Sequence, residues 1–168
     1  MQRIRTATLA DIPSIQSIAH RTWPVTFDKI LSPDQITYML EMMYGRETLA
    51  ELIKAKQTIF LLGLDETQTP VGFAAYECRC KGKKNTKINK LYVLPSAQGL
   101  GVGRALCSEI SLRALVAGDE SLTLNVNKFN QPAMAFYQKA GFQVVAEETI
   151  PIGKGYLMED FVMEKPLI

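Results

Sequence analysis

The residues with the clearest chemical potential form a glycine-rich segment in the middle of the chain. Leu91–Leu94 is an apolar run that ends at Pro95, and Gln98–Arg104 then carries glycine at every second position before an apolar helical pattern begins. Glycine has no Cβ and reaches positive φ easily, so a ligand can approach this backbone closely. The amides at the start of the next helix favour an anion, because the positive end of the helix dipole lies there. The segment is therefore predicted to bind a phosphate group.

Two other kinds of phosphate loop do not fit this spacing. A P-loop requires Lys and then Ser or Thr after its last glycine, whereas Gly103 is followed by Arg104 and Ala105. A dinucleotide-binding loop counted from Gly99 requires glycine where the chain has Arg104. For the loop alone, a glycine-rich turn that merely begins a helix remains an alternative.

A second set of spaced residues lies further along the chain. Its members are Asn127, Asn130, Ala133, Phe136, Tyr137, Lys139, Gly141 and Phe142. The loop Gln98–Gly103 resembles the (Gln/Arg)xxGx(Gly/Ala) loop of the GCN5-related N-acetyltransferases, the GNAT family, and Asn130–Phe142 resembles a second motif of that family. On these two motifs together, the chain is identified as a member of the GNAT family.

This resemblance implies an α+β fold with three layers, α/β/α, around a mixed and mostly antiparallel sheet. The sheet is expected to splay between its fourth and fifth strands, and acetyl-coenzyme A (acetyl-CoA) is expected to lie in that opening. The strand before the glycine loop would bind the pantetheine arm, and the loop amides would bind the pyrophosphate. The implied cofactor-binding residues are Leu91, Tyr92, Val93, Gln98, Gly99, Leu100, Gly101, Val102, Gly103, Arg104, Asn130, Ala133, Phe136, Tyr137 and Lys139.

The implied reaction is transfer of an acetyl group from acetyl-CoA to a primary amine, either a small molecule such as a polyamine or a peptide amine. Direct attack in a ternary complex needs few side chains, because its advantage is largely positional. Tyr137 matches the tyrosine of the family that gives a proton to the departing thiolate; the alternative is an aromatic packed beside Phe136. An acyl-CoA-binding sensor with little catalysis is the alternative function.

The group that removes the proton of the amine is left open by the sequence. An alkylamine has a pKa of about 10.4, so a base, a water chain or a depressed substrate pKa is needed near neutral pH. Many family members carry a carboxylate near the position of Lys87, and a protonated lysine cannot replace it. The candidate bases are Glu77, Tyr92, His20 and Asp28, although His20 is also predicted as a partly buried helix residue.

The acceptor pocket is expected from the resemblance to involve the first two helices and the loops near the last strands. Trp23, Phe27, Asp28 and Glu77 are the predicted substrate-binding residues. Acidic side chains in the helical region suit a cationic molecule. A loose pattern also looks similar to a bacterial subgroup associated with polyamine acetylation: Trp23, Phe27, Ile30, Leu31, Gln35, Tyr38, Met39 and Leu40.

Periodicity and turn residues predict the elements that position these groups. A helix follows Thr8 and Asp11 and reaches about Trp23, and Ser32 with Pro33 begins the next helix. Further helices are predicted over 47–55, 101–117 and 131–140. Strands are predicted over 3–7, 58–64, 71–78, 87–94, 121–126, 142–149 and 156–164. One domain spanning 1–168 is expected.

Composition narrows the remaining classes. A net charge of +2 is too small to indicate nucleic acid, and the basic segment 79–90 is predicted as a solvated hairpin. Without an apolar run of about 20 residues or a signal peptide, a cytoplasmic protein with no membrane partner is expected. Cys78 and Cys80 are predicted to alternate along a strand, and Cys107 to lie in a helix, all as free thiols without a metal site. Family members often form dimers, and the sequence leaves open whether this chain forms a homodimer.

Overall fold

The computed structural model describes residues 3–167, which form seven strands and five α-helices. The strands are β1 Arg3–Thr6, β2 Ile59–Leu64, β3 Pro70–Glu77, β4 Asn85–Val93, β5 Ser121–Asn127, β6 Gln143–Gly153 and β7 Tyr156–Pro166. The helices are α1 Ile12–Phe27, α2 Pro33–Tyr44, α3 Arg46–Ala55, α4 Val102–Val116 and α5 Gln131–Lys139. No helix within the described residues is long and apolar enough to cross a bilayer.

The strands form one mixed sheet in the order β1-β2-β3-β4-β5-β7-β6. All neighbours are antiparallel except β4 and β5, which run parallel. Trp23 of α1 contacts Tyr92 on one face, and Val102 of α4 lies over Gly63 on the other. The layered α+β fold with a mostly antiparallel sheet is confirmed.

The helix starts follow the predicted capping signals. Ser32 precedes α2, and its Oγ accepts a hydrogen bond from the amide of Gln35 at 3.1 Å. Before α1, the amide of Thr8 donates to the carboxylate of Asp11 at 2.8 Å, and Arg5 donates to the same carboxylate. Local hydrogen bonds therefore fix where both helices enter the layer.

Helix α1 is longer than predicted, because it continues through Pro24 to Phe27. Proline removes the amide that would bond to the carbonyl of His20. Both Pro24 and His20 are exposed, so water can satisfy that carbonyl. Trp23 and Phe27 are both buried on the same face of α1, and their burial favours the extra turn. The exposure of His20 also shows that the prediction of its partial burial is wrong.

The segment after β3 differs from the prediction. Strand β3 ends at Glu77, and Arg79 and Lys81 adopt left-handed backbone conformations with φ of 52° and 54°. Cys80 begins a short helical turn, so the prediction that it alternates with Cys78 along a strand is wrong. The lysines at the tip of this hairpin are exposed, as predicted for a solvated turn.

Strand β6 is also longer than predicted and ends at Gly153 rather than near Thr149. Pro151 is tolerated inside it because β6 is the edge strand of the sheet, where one side of the backbone needs no partner. The pairing with β7 shifts register between Pro151 and Gly153. The resulting β6–β7 hairpin reaches as far as α2.

Two glycines of the sheet allow α4 to lie close to it. A Cβ at Gly63 of β2 would lie 2.6 Å from Cγ1 of Val102, and one at Gly72 of β3 would lie 3.0 Å from the same atom. Real Cβ atoms are essentially never found as close as the one at Gly63 would be, and the one at Gly72 would be tighter than most real contacts, so a side chain at either position would force Val102 in the first turn of α4 to move. The glycine-rich loop is thereby held against the end of β4.

Candidate active site

The parallel strands β4 and β5 are held together at one end only. Their pairing runs from Asn85 opposite Ser121 to Ile88 opposite Leu124. The amide of Asn85 donates to Oγ of Ser121 at 2.9 Å, and its carbonyl oxygen accepts from Thr123 at 2.9 Å. These contacts fasten the closed end of the pair.

The two strands separate where β4 carries a bulge. Ala75 of β3 lies opposite Lys90, whereas the next residue, Tyr76, lies opposite Ile88, so Asn89 is an extra residue in β4. A bulge bends a strand and increases its local twist. Beyond Ile88, β4 has no pairing with β5. The splayed sheet is therefore present, with its opening between the fourth and fifth strands as predicted.

A cleft of about 240 Å³ lies at this opening. It is lined by β4, β5 and α5 on one side and by α1, α2, β6 and β7 on the other. The lining residues are Trp23, Phe27, Met39, Met42, Met43, Ile88, Asn89, Lys90, Leu91, Tyr92, Leu124, Asn125, Val126, Asn127, Asn130, Ala133, Tyr137, Ile150, Ile152, Met158 and Asp160. Four methionines in one lining give the cleft an adaptable apolar surface.

The glycine-rich loop lies beyond the end of β4. Gly99 and Gly101 have φ of 82° and 89°, and a Cβ at either would meet no atom within 4 Å, so backbone conformation alone requires glycine there. Gln98 donates from Nε2 to the carbonyl of Val93 at 3.2 Å, which ties the loop to the strand. Gly101 caps α4, and the amides of its first turn, including that of Arg104, have no carbonyl of their own helix to bond.

Predicted cofactor-binding residues from three elements meet beside this loop. A Cβ at Gly103 would lie 3.2 Å from the ring of Phe136 in α5 and 3.8 Å from Leu91 in β4. The absence of a side chain at Gly103 therefore lets α5 approach the first turn of α4. Lys139 also lies in α5 but is exposed and outside the cleft lining.

Helix α5 places two predicted residues in the cleft. Asn130 caps the helix, because its Oδ1 accepts from the amide of Ala133 at 3.3 Å, and both residues also line the cleft. Tyr137 packs against Phe136 and Phe142 with ring centroids 5.2 and 5.6 Å apart, and it too lines the cleft. The side chain of Tyr137 therefore both packs against aromatic neighbours and lines the cleft.

Burial keeps the tyrosines of the cleft protonated. The pKa of Tyr137 is raised far above its ordinary value, first by burial and then by the neighbouring Cys107 and Tyr92. Burial and the nearby carboxylate of Asp160 likewise raise the pKa of Tyr92. Near neutral pH both hydroxyls can donate a proton but do not accept one. Tyr137 therefore carries the proton that a donor needs, whereas Tyr92 is not suited to act as a base.

Aromatic rings line the side of the cleft formed by α1. The centroid of Trp23 lies 4.5 Å from that of Phe27 and 5.8 Å from that of Tyr92. Lys90 lines the same cleft with Nζ 5.9 Å from the ring centre of Tyr44, and desolvation lowers its pKa. Of the four predicted substrate-binding residues, the structure brings Trp23 and Phe27 into the cleft.

The other predicted acidic positions lie elsewhere. Asp28 is exposed at the end of α1, and Glu77 lies opposite Lys87 at the closed end of the β4–β5 pair. Neither is among the cleft-lining residues, and neither is the exposed His20. None of these three residues is therefore in place to meet a group bound in the cleft.

One carboxylate in the cleft was missed by the sequence reasoning. Asp160 of β7 lies opposite Asn127 of β5 and is only 6% exposed. Its Oδ2 accepts from Asn125 at 3.3 Å, while its Oδ1 is buried without a hydrogen-bond partner among the described residues. A signal was present, because Asp160 alternates with Met158 and Val162 on one face of a strand. An acid at such a position is unusual unless it is paired or functional.

The β6–β7 hairpin is joined to α2 by two hydrogen bonds. Gln35 donates from Nε2 to the carbonyl of Leu157 at 2.9 Å, and the hydroxyl of Tyr38 donates to the carbonyl of Ile152 at 2.8 Å. Ile152 and Met158 next to these contacts line the cleft. The helical layer therefore positions the part of β7 that carries Asp160.

Comparison with known proteins agrees with this architecture. A family model described as Acetyltransferase (GNAT) family matches residues 12–142, which is more than half of the chain. The chain therefore belongs to the GNAT family of acetyltransferases.

Two relatives and one solved structure show which members of the family the chain resembles. The chain is 27% identical over 165 residues to a spermidine N(1)-acetyltransferase of Thermoplasma acidophilum, covering 96% of this chain and 95% of that protein. It is 33% identical over 96 residues to the peptidyl-lysine N-acetyltransferase YjaB of Escherichia coli, covering 56% and 57%. In three dimensions it resembles the PaiA N-acetyltransferase of Thermoplasma acidophilum in complex with coenzyme A, with a TM-score of 0.83, 23% identity and 99% of each chain covered.

Proposed function

We propose that this protein transfers the acetyl group of acetyl-CoA to a small-molecule primary amine by direct attack in a ternary complex. The observation that carries the proposal is the single opening between β4 and β5. The free edge of β4 lines the cleft that contains Tyr137, and the glycine loop is joined to the end of this strand by the hydrogen bond from Gln98 to Val93. One bound molecule can thus reach from the loop into the cleft, where a second molecule can meet its end.

The residues at the loop fit coenzyme A. The first-turn amides of α4 suit the pyrophosphate, because they are unbonded within the helix and lie at its positive end. The edge of β4 beyond Ile88 has no pairing with β5 and suits the amide groups of the pantetheine arm. When bound, acetyl-CoA supplies the acetyl group as a thioester. We call these elements, with the first turn of α4 and with α5 as far as Tyr137, the donor wall.

The opposite side suits the amine. The acceptor wall, defined as the cleft-lining residues of α1, α2, β6 and β7, combines aromatic rings, methionines and the carboxylate of Asp160. The carboxylate of Asp160 can bind a cationic group of the acceptor, and the aromatic rings and methionines can pack against an apolar part of the same molecule. The relative named as a spermidine acetyltransferase supports a small amine as the acceptor, and the partial match to YjaB makes a peptide amine the second class to test.

The role proposed for Tyr137 is protonation of the departing thiolate. The hydroxyl carries its proton across the neutral range, since burial raises its pKa. The tyrosine is buried between Phe136 and Phe142, which restricts its orientation. Positioned proton donors of this kind contribute roughly a hundred- to ten-thousandfold in rate.

The direct test measures thiol release from acetyl-CoA across a panel of acceptors: spermidine, spermine, hexylamine, amino acids, an aminoglycoside and a lysine-containing peptide. We expect turnover with one or more of the small amines and an acetylated amine as product. Tight acetyl-CoA binding without thiol release on any acceptor would instead establish the sensor alternative. Failure to bind acetyl-CoA would contradict both functions.

A further inference from the structure

We infer that Asp160 binds the ammonium group of the acceptor and takes its proton, and that the acceptor carries this ammonium on an apolar arm. This inference rests on the proposed function and specifies its acceptor site. It answers the question that the sequence left open, namely which group removes the proton of the amine.

The placement of Asp160 is the first support. The residue is buried in β7 and lines the cleft, and its Oδ1 has no hydrogen-bond partner within residues 3–167. A buried carboxylate oxygen without a donor is costly, so such atoms are rare unless a ligand or a proton completes them. The cleft is the side from which a donor can arrive.

The neighbouring side chains hold the carboxylate in place. The amide nitrogen of Asn125 donates to Oδ2 of Asp160 at 3.3 Å and to the exposed Glu148 of β6 at 2.9 Å. One amide thus bridges two carboxylates, and Oδ1 of Asp160 remains for another donor. Asn125 is in this account a positioning residue.

The surroundings of Asp160 raise the affinity of its carboxylate for a proton. Burial raises its pKa above the ordinary value of aspartate, the nearby Glu148 raises it further, and Asn125 and Lys87 oppose the shift. Tyr92 faces it from β4 and remains protonated, and Lys90 lines the same cleft with a lowered pKa. A carboxyl with a raised pKa is a better match for the proton of an amine.

The other residues that line the cleft determine which acceptor molecules fit beside Asp160. Trp23 and Tyr92 line the cleft with aromatic rings, and aromatic rings attract a cation as well as an apolar chain. Met39, Met42 and Met158 add flexible apolar surface. Among the described lining residues, Asp160 is the one carboxylate. The site therefore matches an amine with a single cationic head and a carbon chain or ring behind it.

Asp160 and Tyr137 together account for every proton that moves in the reaction. An ammonium proton passes to Asp160, and the neutral nitrogen forms its bond to the acetyl carbon as the carbon–sulfur bond breaks. The sulfur takes the proton of Tyr137, whose oxygen is reprotonated by the second proton leaving the nitrogen. Asp160 then releases its proton to water. The products are the amide, the free thiol of coenzyme A and one proton.

The first experiment measures binding rather than turnover. Trp23 is the single tryptophan of the sequence and lines the cleft, so its fluorescence reports on cleft occupancy. Hexylamine and hexanol are titrated in the presence of coenzyme A, since they share the arm and differ in the charge. The native protein is expected to prefer hexylamine, and Asp160→Asn is expected to lower its hexylamine affinity about ten- to a hundredfold while leaving hexanol unchanged.

The pH dependence of binding gives a second readout. Hexylamine affinity of the native protein should rise as the pH increases through the raised pKa of Asp160, because only the carboxylate binds the ammonium. The variant should lack this rise. With a reactive amine, the variant should also lose at least about a hundredfold in kcat/KM.

Thermal stability separates this role from a structural one. Folding raises the pKa of Asp160, so the folded state is penalised above that pKa and not below the unfolded value of about 3.9. Asp160→Asn should therefore raise Tm at neutral pH, and the gain should vanish as the solution is acidified.

Asp119→Asn is the matched control. Asp119 is also buried and its Oδ1 likewise has no hydrogen-bond partner among the described residues, but that oxygen lies 3.3 Å from Nε of Arg79 in an ion pair. Its Oδ2 accepts from Thr86 at 2.6 Å and from the amide of Arg79 at 2.9 Å, so the variant should lower Tm and leave hexylamine binding unchanged.

Three results would overturn the inference. They are unchanged hexylamine affinity in Asp160→Asn, equal affinity of the native protein for hexylamine and hexanol, and a fall in Tm like that of Asp119→Asn. The proposed function fails separately, through an absence of thiol release by the native protein with every amine. Binding and turnover thus distinguish the two failures.

Discussion

The donor wall and the acceptor wall of the cleft are built in different ways. The donor wall comes from a continuous part of the chain between Asn89 and Tyr137, and it offers mainly backbone groups shaped by glycines. The acceptor wall joins α1 and α2 to β6 and β7 from the far end of the sequence, and it offers side chains. Backbone recognition tolerates little change in geometry, whereas side-chain recognition changes with each substitution.

The two walls are also held by different forces. The donor wall rests on close packing, because α4 touches Gly63 and Gly72 through Val102 and α5 touches Gly103 through Phe136. The acceptor wall depends on a few hydrogen bonds from α2 to an edge hairpin whose first strand is largely exposed. We therefore expect cofactor binding and amine binding to respond to different mutations.

The largest expected effect is at Tyr137, where the walls meet. Tyr137→Phe keeps the packing against Phe136 and Phe142 but removes the proton donor. We expect kcat to fall about a hundred- to a thousandfold, with the dissociation constant of acetyl-CoA nearly unchanged. Steady-state kinetics and calorimetry measure the two quantities. A variant with native kcat would remove Tyr137 from the reaction.

A smaller effect is expected from a change confined to the donor wall. Gly101→Ala places a Cβ at φ of 89°, which costs about 1–2 kcal/mol, and relaxation of the loop should weaken coenzyme A binding about tenfold. Amine affinity measured through Trp23 should stay the same. Gly82→Ala is the matched control, because Gly82 has φ of 73° and equally open surroundings in the distant basic hairpin. It should lower Tm to a similar degree without weakening coenzyme A binding.

The smallest effect is expected in the acceptor wall. Tyr38→Phe removes the hydrogen bond to the carbonyl of Ile152, which is worth about 0.5–1.5 kcal/mol, so KM for the amine should rise about two- to tenfold. The affinity for coenzyme A should not change. Tyr156→Phe is a close control: its ring lies 5.5 Å from that of Tyr38, but its hydroxyl has no hydrogen-bond partner within residues 3–167. Equal effects of the two variants would contradict this role of Tyr38.

The contrast between the walls also explains what could be predicted from the sequence. The start of α2 at Ser32 and the glycine loop depend on neighbouring residues, and the structure forms them as predicted. The extension of α1 through Pro24 depends on burial against distant strands, which local propensity does not report. Asp160 shows the same limit, because its place in the cleft follows from the register of β7 on β5.

The central claim is that donor and acceptor occupy the two walls together and that the acetyl group passes directly between them. The most direct test is the initial-velocity pattern with acetyl-CoA and a productive amine varied together, combined with the intact mass of the protein after incubation with acetyl-CoA alone. Intersecting double-reciprocal lines and an unmodified protein are the predicted result. Parallel lines with an acetylated protein would show a covalent acyl-enzyme and contradict direct transfer in one cleft.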